Sequence, residues 1–175
     1  MRKLKTHELN RISADQFKGA NKLPIVVVLD NVRSLNNVGS VFRTADAFCI
    51  ETIYLCGVTG TPPHREIQKT ALGATESVVW KYFQDTMDAI QELKNNNYSI
   101  IALEQVESGK HLQYFYPEKN TKYALVFGNE VNGVSQEVID SCTSCIEIPQ
   151  FGTKHSFNIA VSAGIVLWDF YCKKL

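Results

Sequence analysis

The C-terminal region constrains the fold most strongly, because a short apolar strand pattern leads through a loop into a long apolar helix pattern. The strand is predicted over residues 145–148 and the helix over residues 158–174, with Ser156 or Asn158 as its N-cap. Apolar residues occur on almost every side of this helix, a pattern typical of a buried helix. A loop between two such elements is a common place for binding residues, although the same pattern also fits an ordinary connection.

Alternating strand and helix patterns along the rest of the chain indicate the fold class. Short apolar runs predict further strands over residues 23–29, 52–56, 77–80, 99–103 and 123–127. Helical spacing of apolar residues predicts helices over residues 38–49, 85–95 and 136–141, with a short helical turn at 69–74. The polar segment 104–118 is predicted to be irregular. This alternation, without an internal repeat or a linker, predicts one α/β domain over residues 1–175 with a mostly parallel sheet.

Composition excludes several classes of protein. The chain has 175 residues, of which 45% are hydrophobic and 21% charged, as in an ordinary globular domain. No apolar run is long enough to span a bilayer and the N-terminus does not resemble a signal peptide, so a cytoplasmic protein without a membrane partner is expected. The five cysteines include one CxxC pair, Cys142 and Cys145, with no second ligand pair. Reduced thiols and no metal site are therefore predicted.

Charge is distributed unevenly along the chain. The formal net charge is zero, from 18 basic and 18 acidic residues. Residues 1–22, however, contain six lysines and arginines against two acidic residues, a surplus of four positive charges. This segment, called the basic arm below, fits a contact with nucleic-acid phosphates, but it equally fits a solvated chain end.

Three predicted strands end in polar loops that contain glycine or asparagine, over residues 30–43, 128–133 and 149–158. In a parallel sheet such loops lie together at the carboxyl edge, where ligands bind. The common nucleotide motifs are nevertheless absent. No GxGxxG follows the first strand, and Val134 and Ser135 stand where the Gly128–Gly133 spacing would require Lys and Ser or Thr of a P-loop.

Arg43 is the candidate functional cation of the first predicted helix. It lies off the apolar stripe of that helix, one turn after Gly39. Because Gly39 has no side chain, a ligand is expected to have room to approach the backbone beside Arg43. An ordinary surface ion pair is the alternative interpretation of this arginine.

Three segments together resemble a known family. They are NVGSVFRTA over residues 37–45, VFGNEVNG over residues 126–133 and IPQFGTKHSFNIAVSA over residues 148–163. These segments are similar, in the same order, to the three motifs of the SpoU/TrmH-type RNA ribose 2′-O-methyltransferases of the SPOUT superfamily. The resemblance extends from residue 24 to the C-terminus. It implies a C-terminal trefoil knot in the α/β fold, a homodimer with a shared active site, and S-adenosyl-L-methionine as cofactor.

The resemblance also implies roles for individual residues. The catalytic and RNA-positioning residues would be Asn37, Arg43, Glu130, Ser156 and Asn158. The cofactor-binding residues would be Phe127, Gly128, Asn129, Gly133, Ile148, Gln150, Ser156 and Phe157. Phe157 and Gln150 stand where the family usually has leucine and methionine, and contacts made through the backbone would tolerate both changes.

The implied reaction transfers a methyl group to a ribose 2′-hydroxyl of tRNA or rRNA, with the choice between the two RNAs left open. Arg43 would be the group that activates the hydroxyl. An arginine is effectively always protonated, which favours phosphate binding and charge stabilisation over a simple base. Many members carry a separate RNA-binding domain, whereas here only residues 1–22 precede the first predicted strand. RNA is therefore expected to contact the dimer surface and the basic arm.

Two other functions fit parts of the sequence. One is a catalytically silent RNA-binding module on the same fold, which the presence of all five catalytic-type residues disfavours. The other is an unrelated α/β nucleotide-binding protein, which the incomplete phosphate motifs disfavour.

Overall fold

A seven-stranded parallel sheet forms the centre of the computed structural model, which describes residues 1–9 and 11–174. The strands are β1 Leu23–Asp30, β2 Ile50–Cys56, β3 Val79–Phe83, β4 Tyr98–Leu103, β5 Lys110–His111, β6 Lys122–Phe127 and β7 Ser144–Glu147. Their order across the sheet is β3-β2-β1-β6-β4-β7-β5, and each pairing between them is parallel. The predicted α/β class with a mostly parallel sheet is confirmed.

Helices cover both faces of the sheet. They are α1 Ala14–Gly19, α2 Leu35–Ala47, α3 Arg65–Ala71, α4 Ala74–Ser77, α5 Thr86–Asn95, α6 Gln136–Ser141 and α7 Ile159–Lys174. Within the described ranges, none of these helices is long and apolar enough to cross a bilayer.

Two hydrophobic layers hold the helices against the sheet. Side chains alternate across a strand, so Val27 and Leu29 of β1 point into the layer under α2 and α7. Val26 and Val28 point into the opposite layer, under α5 and α6. All four side chains are buried, which explains why the central strand is a continuous apolar run rather than an alternating one.

Sequence patterns misplaced elements near the two edge strands, β3 and β5. The strand predicted over residues 77–80 begins only at Val79, because Ser77 belongs to α4 and its hydroxyl donates to the carboxylate of Asp46. The predicted helical turn at 69–74 instead spans the end of α3 and the start of α4, which are separated by the left-handed residues Leu72 and Gly73. The segment predicted to be irregular contains the short strand β5 and a 3₁₀ turn at Leu112–Tyr114.

The C-terminal helix begins and packs largely as predicted. The side-chain oxygen of Asn158 accepts from the backbone N–H groups of Ala160 (2.9 Å) and Val161 (3.4 Å), so Asn158 is the cap. The expectation of a helix buried on every side is wrong, since the side chains of Val161 and Trp168 are 49% and 55% exposed.

The basic arm is partly anchored to the body. Phe17 of α1 is buried in the core layer under α2, and Ser13 and Gln16 form a capping box at the start of α1. Arg2 pairs with Glu8 at 2.8 Å in a solvent-exposed contact. Residues 13–19 are therefore ordered helix and cap rather than a loose chain end.

Candidate cofactor pocket and active site

Three loops meet at the carboxyl edge of the central strands. They connect β1 to α2, β6 to α6 and β7 to α7, and all three strands run in the same direction. A cavity of about 360 Å³ lies at this edge, between the loops that follow β4, β6 and β7. Its volume falls within the range of small-molecule sites in proteins, roughly 300–1,000 Å³.

All eight residues that the sequence assigned to cofactor binding line this cavity: Phe127, Gly128, Asn129, Gly133, Ile148, Gln150, Ser156 and Phe157. Two lining residues that sequence reasoning missed, Glu104 and Gln105, come from the end of β4. The sequence could have indicated both residues, because they directly follow a buried strand, and strand ends in a parallel sheet supply ligand-binding residues.

One wall of the cavity is the tight turn after β6. The backbone groups of Asn129 and Gly133 bond to each other in both directions, at 3.1 and 3.0 Å. The side-chain oxygen of Asn129 accepts from the backbone N–H groups of Val131 and Asn132. A Cβ on Gly128 would collide with main-chain atoms of Gly133 and Val134, so the turn closes over a position that only glycine fits.

Glu104 and Gln105 tie the cavity walls together. The Glu104 carboxylate accepts from the backbone N–H groups of Val134 (2.9 Å) and Gln105 (2.9 Å). The side-chain amide of Gln105 donates to the carbonyl of His155 at 3.2 Å, which attaches the loop between β7 and α7 to the end of β4. His155 thus takes part in this contact through its backbone carbonyl and not through its imidazole, as an ordinary loop residue would.

A polar network brings together one residue from each motif segment. The side-chain amide of Asn37 donates to the Glu130 carboxylate at 2.9 Å, and that of Asn158 donates to the side-chain oxygen of Asn37 at 3.2 Å. Residues up to 121 positions apart in the chain thereby form one hydrogen-bonded chain of side chains. We call Asn37, Glu130 and Asn158 the polar network.

Glu130 is held in its charged form within this network. Partial burial works against the charge, but hydrogen bonds from backbone N–H groups and from the Asn37 side chain outweigh that effect. The pKa of Glu130 is therefore lowered from its ordinary value, and the side chain is a carboxylate at neutral pH.

The other two predicted catalytic residues lie outside the hydrogen-bonded network. Ser156 lines the cavity with an exposed side chain. Arg43 is exposed on α2, and within residues 1–9 and 11–174 it makes no ion pair, which removes the surface ion pair as its explanation. Both side chains are thus free to meet a ligand.

The expectation that Gly39 leaves room for a ligand is wrong. A Cβ there would collide with the backbone carbonyl of Ile67 and the hydroxyl of Thr70. The space beside the Gly39 backbone is filled by α3, so this glycine permits close packing of two helices rather than ligand binding.

A second, larger cleft of about 1,300 Å³ lies along the segment that connects β4 to β6. The starts of β4, β6 and β7 line it, together with Tyr114 and Tyr116, and none of the predicted site residues do so. We regard the smaller cavity as the functional one, because ligands of parallel sheets bind at the carboxyl ends of strands.

The five cysteines are free thiols. In the part of the chain that the structure describes, no three His, Cys, Asp or Glu side chains converge as a metal ion would require. Burial raises the pKa of Cys142 to about 12, so its thiol stays protonated and donates to the carbonyl of Val138.

A cavity and a polar network at the carboxyl edge of a parallel sheet are typical of α/β enzymes and ligand-binding proteins, and this is the class of protein that the fold and site define. The particular family follows from comparison with known proteins. The model of the SpoU rRNA methylase family matches residues 24–168, and the chain belongs to this family.

Curated relatives agree with this assignment. The chain is 29% identical over 164 residues to a provisionally named TrmH family tRNA/rRNA methyltransferase of Staphylococcus aureus, covering 91% of this chain and 65% of the relative. The counterpart in Staphylococcus saprophyticus is 27% identical over 159 residues, with 63% of its length covered. The chain thus spans slightly less than two thirds of the length of these relatives.

Solved structures share the fold. An AdoMet-bound rRNA methyltransferase from Sinorhizobium meliloti is 25% identical with a TM-score of 0.81, covering 91% of this chain and 60% of that one. A TrmH/SpoU tRNA-modifying enzyme of A. aeolicus has a TM-score of 0.79 at 24% identity, covering 91% and 79% of the two chains.

Proposed function

We propose that this chain is an S-adenosyl-L-methionine-dependent RNA methyltransferase that modifies a ribose 2′-hydroxyl of tRNA or rRNA. The observation that carries the proposal is the meeting of three distant motif segments at one sheet edge. There they form a ligand-sized cavity and, beside it, the polar network. Membership of the SpoU rRNA methylase family supports the same conclusion.

The cavity suits the proposed cofactor. Its walls offer backbone groups of two loops, and the glycine at position 128 lets the turn after β6 close tightly against the end of that strand. The Glu104 carboxylate adds a negative charge to a site that would take a cationic sulfonium compound. When bound, S-adenosylmethionine supplies an electrophilic methyl group. The related rRNA methyltransferase from Sinorhizobium meliloti was solved with this compound.

In the proposed reaction the ribose oxygen would take the methyl group of bound S-adenosylmethionine, S-adenosylhomocysteine would leave, and the hydroxyl proton would pass to water. Asn37 and Asn158 hold one another and Glu130 in fixed positions, which orients the acceptor nucleotide. Arg43 binds phosphate and stabilises negative charge on the reacting oxygen. Ser156 lines the cavity and stands two residues before Asn158 in the chain, so it connects the cofactor site to this network.

Label transfer tests the proposal. The protein is incubated with methyl-labelled S-adenosylmethionine and either total tRNA or rRNA, and the RNA is then hydrolysed in alkali. We expect label in alkali-resistant dinucleotides, because a 2′-O-methyl group blocks cleavage at that position. Label in mononucleotides would indicate base methylation instead. No label with either RNA would favour the silent RNA-binding module.

We also propose that the C-terminal segment is threaded as a knot. The segment after β4 passes beyond the position of β7 to form β5, and then returns to β6. Strand β7 lies between β4 and β5, and α7 then contacts the returning segment through Lys173, which donates to the carbonyls of Leu112 and Phe115, both at 2.8 Å. An experimental structure in which residues 148–158 pass outside the loop formed by residues 104–121 would disprove the knot.

A homodimer is expected to form through the exposed apolar side of α7. Trp168 stacks on Tyr171, with ring centroids 5.9 Å apart, and remains 55% exposed, which is costly unless a partner covers it. Light scattering should show a dimer at micromolar concentration, and Trp168→Glu should shift it to monomer. The control Val58→Glu, at a position that is 63% exposed in a loop, should remain dimeric. A monomeric wild-type protein would refute the prediction.

The basic arm is expected to contribute to RNA affinity and not to cofactor affinity. Removing residues 2–5 deletes three positive charges, Arg2, Lys3 and Lys5, which lie outside the cavity. RNA binding should weaken, and its salt dependence should become shallower by about 0.7 for each phosphate that the arm no longer neutralises. Titrations of RNA binding at several salt concentrations measure this slope. An unchanged slope would rule out phosphate binding by the arm.

A further inference from the structure

Four basic side chains lie on and just before two helices that pack against each other. They are Arg33, which precedes α2, Arg43 on α2, and Arg65 and Lys69 on α3, and all four are exposed. We call these four residues the basic strip. Among the described residues, only Lys69 of this set makes an ion pair, a 3.9 Å contact with Glu66 in which both side chains are exposed. Such a pair contributes little, so the strip retains a positive charge.

Two contacts place α3 alongside the N-terminal half of α2. The Gly39 backbone lies directly against the carbonyl of Ile67, and the Thr70 hydroxyl donates to the carbonyl of Asn36 at 2.9 Å. Only the absence of a side chain at Gly39 permits an approach this close. The exposed sides of α2 and α3 therefore belong to one continuous surface.

Helical spacing puts the charges on that surface. Asn36, Ser40 and Arg43 recur at i, i+4 and i+7 and share one side of α2. Arg65 and Lys69 are four residues apart and share the exposed side of α3, opposite the buried residue Ile67. At its start, α2 also carries Asn37 of the polar network, so the strip leads away from the candidate active site.

We propose that the basic strip binds consecutive phosphates of the RNA strand that flanks the acceptor nucleotide. This inference rests on the proposed function and adds to it a path for the RNA. Guanidinium groups match phosphate oxygens with two parallel hydrogen bonds, and three of the four residues are arginines. A row of largely unpaired positive charges on a protein of zero net charge suits a ligand with regularly repeated negative charges.

The test compares two double variants that remove equal charge. Arg65→Ala with Lys69→Ala removes the α3 half of the strip, whereas Lys94→Ala with Lys119→Ala removes two exposed lysines elsewhere. Binding of fluorescently labelled unfractionated tRNA is measured at several salt concentrations. The strip variant should bind about 3- to 30-fold more weakly, with a salt slope shallower by about 1.4. The control should stay within about twofold of wild type, a difference worth no more than a weak surface contact.

Further measurements separate this proposal from its alternatives. Arg65→Lys should keep most of the RNA affinity, and all variants should bind S-adenosylmethionine as wild type does, which shows that they are folded. Equal reductions of affinity in both double variants, or a reduction without a change in slope, would overturn the proposal. So would equal competition by polyglutamate, which would indicate a surface for acidic proteins. If no RNA is methylated, the proposed function fails, yet the tRNA titrations still decide the role of the strip.

Discussion

Arg43→Lys is expected to lower the single-turnover rate of RNA methylation by roughly 10²–10³ while leaving cofactor affinity unchanged. A lysine keeps the charge but offers one compact ammonium group. The planar guanidinium of arginine instead contacts two oxygens in fixed geometry. If Arg43 stabilises the reacting oxygen and holds a phosphate, retention of charge alone will not restore the rate.

The structure explains why the rest of the protein should tolerate this change. Arg43 is exposed and lies on α2 away from the buried residues Val38, Val41, Phe42 and Ala45. It also does not line the cavity. Calorimetric titration with S-adenosylmethionine and single-turnover methylation on the same variant provide the measurement. Near-normal turnover would remove Arg43 from the active site, and failure to bind the cofactor would assign it a structural role.

Gly128→Ala is expected to abolish measurable cofactor binding, with affinity reduced about 100-fold or more. The added Cβ would collide with main-chain atoms of Gly133 and Val134, and backbone cannot move aside as a flexible side chain can. The turn after β6 would have to open, which would break the paired Asn129 and Gly133 bonds and displace one cavity wall.

Gly152→Ala is the matched control for this variant. Gly152 lies in the loop between β7 and α7, which also borders the cavity, yet an added Cβ there meets nothing within 4 Å. Cofactor affinity and thermal stability of this control should match wild type. Normal cofactor binding by Gly128→Ala would show that the turn after β6 does not shape the cofactor site, and that would contradict the assignment of the cavity.

The sequence was most informative where burial dictates residue type. Strands β1, β2 and β6 are central in the sheet and buried, so their apolar runs predicted them to within a few residues. Strand β3 lies at the sheet edge with mostly exposed side chains, and β5 has two residues, so neither carries a clear pattern. The start of α7 was predicted because Asn158 caps it locally.

The site residues were likewise predicted where the signal lies in the sequence itself, and missed where it depends on long-range geometry. The family resemblance implied eight residues that line the cavity, and the two segments that contain them follow β6 and β7 at one edge of the sheet. The Glu104 contact with the turn after β6 and the packing of Gly39 on Ile67 were not predicted, since both depend on long-range geometry. An exposed arginine gives no packing signal, so the sequence pattern alone could not assign a role to Arg43.

The central claim is that the methyl group goes to a ribose 2′-oxygen, and one atom of the substrate tests it. Once the labelled nucleotide is located, two synthetic RNAs are made that differ only in the 2′-oxygen of that nucleotide. Both should bind the protein with similar affinity, and only the ribose form should accept label from S-adenosylmethionine. Equal methylation of the 2′-deoxy RNA would contradict the account, because the transferred group would then have to reside on another atom.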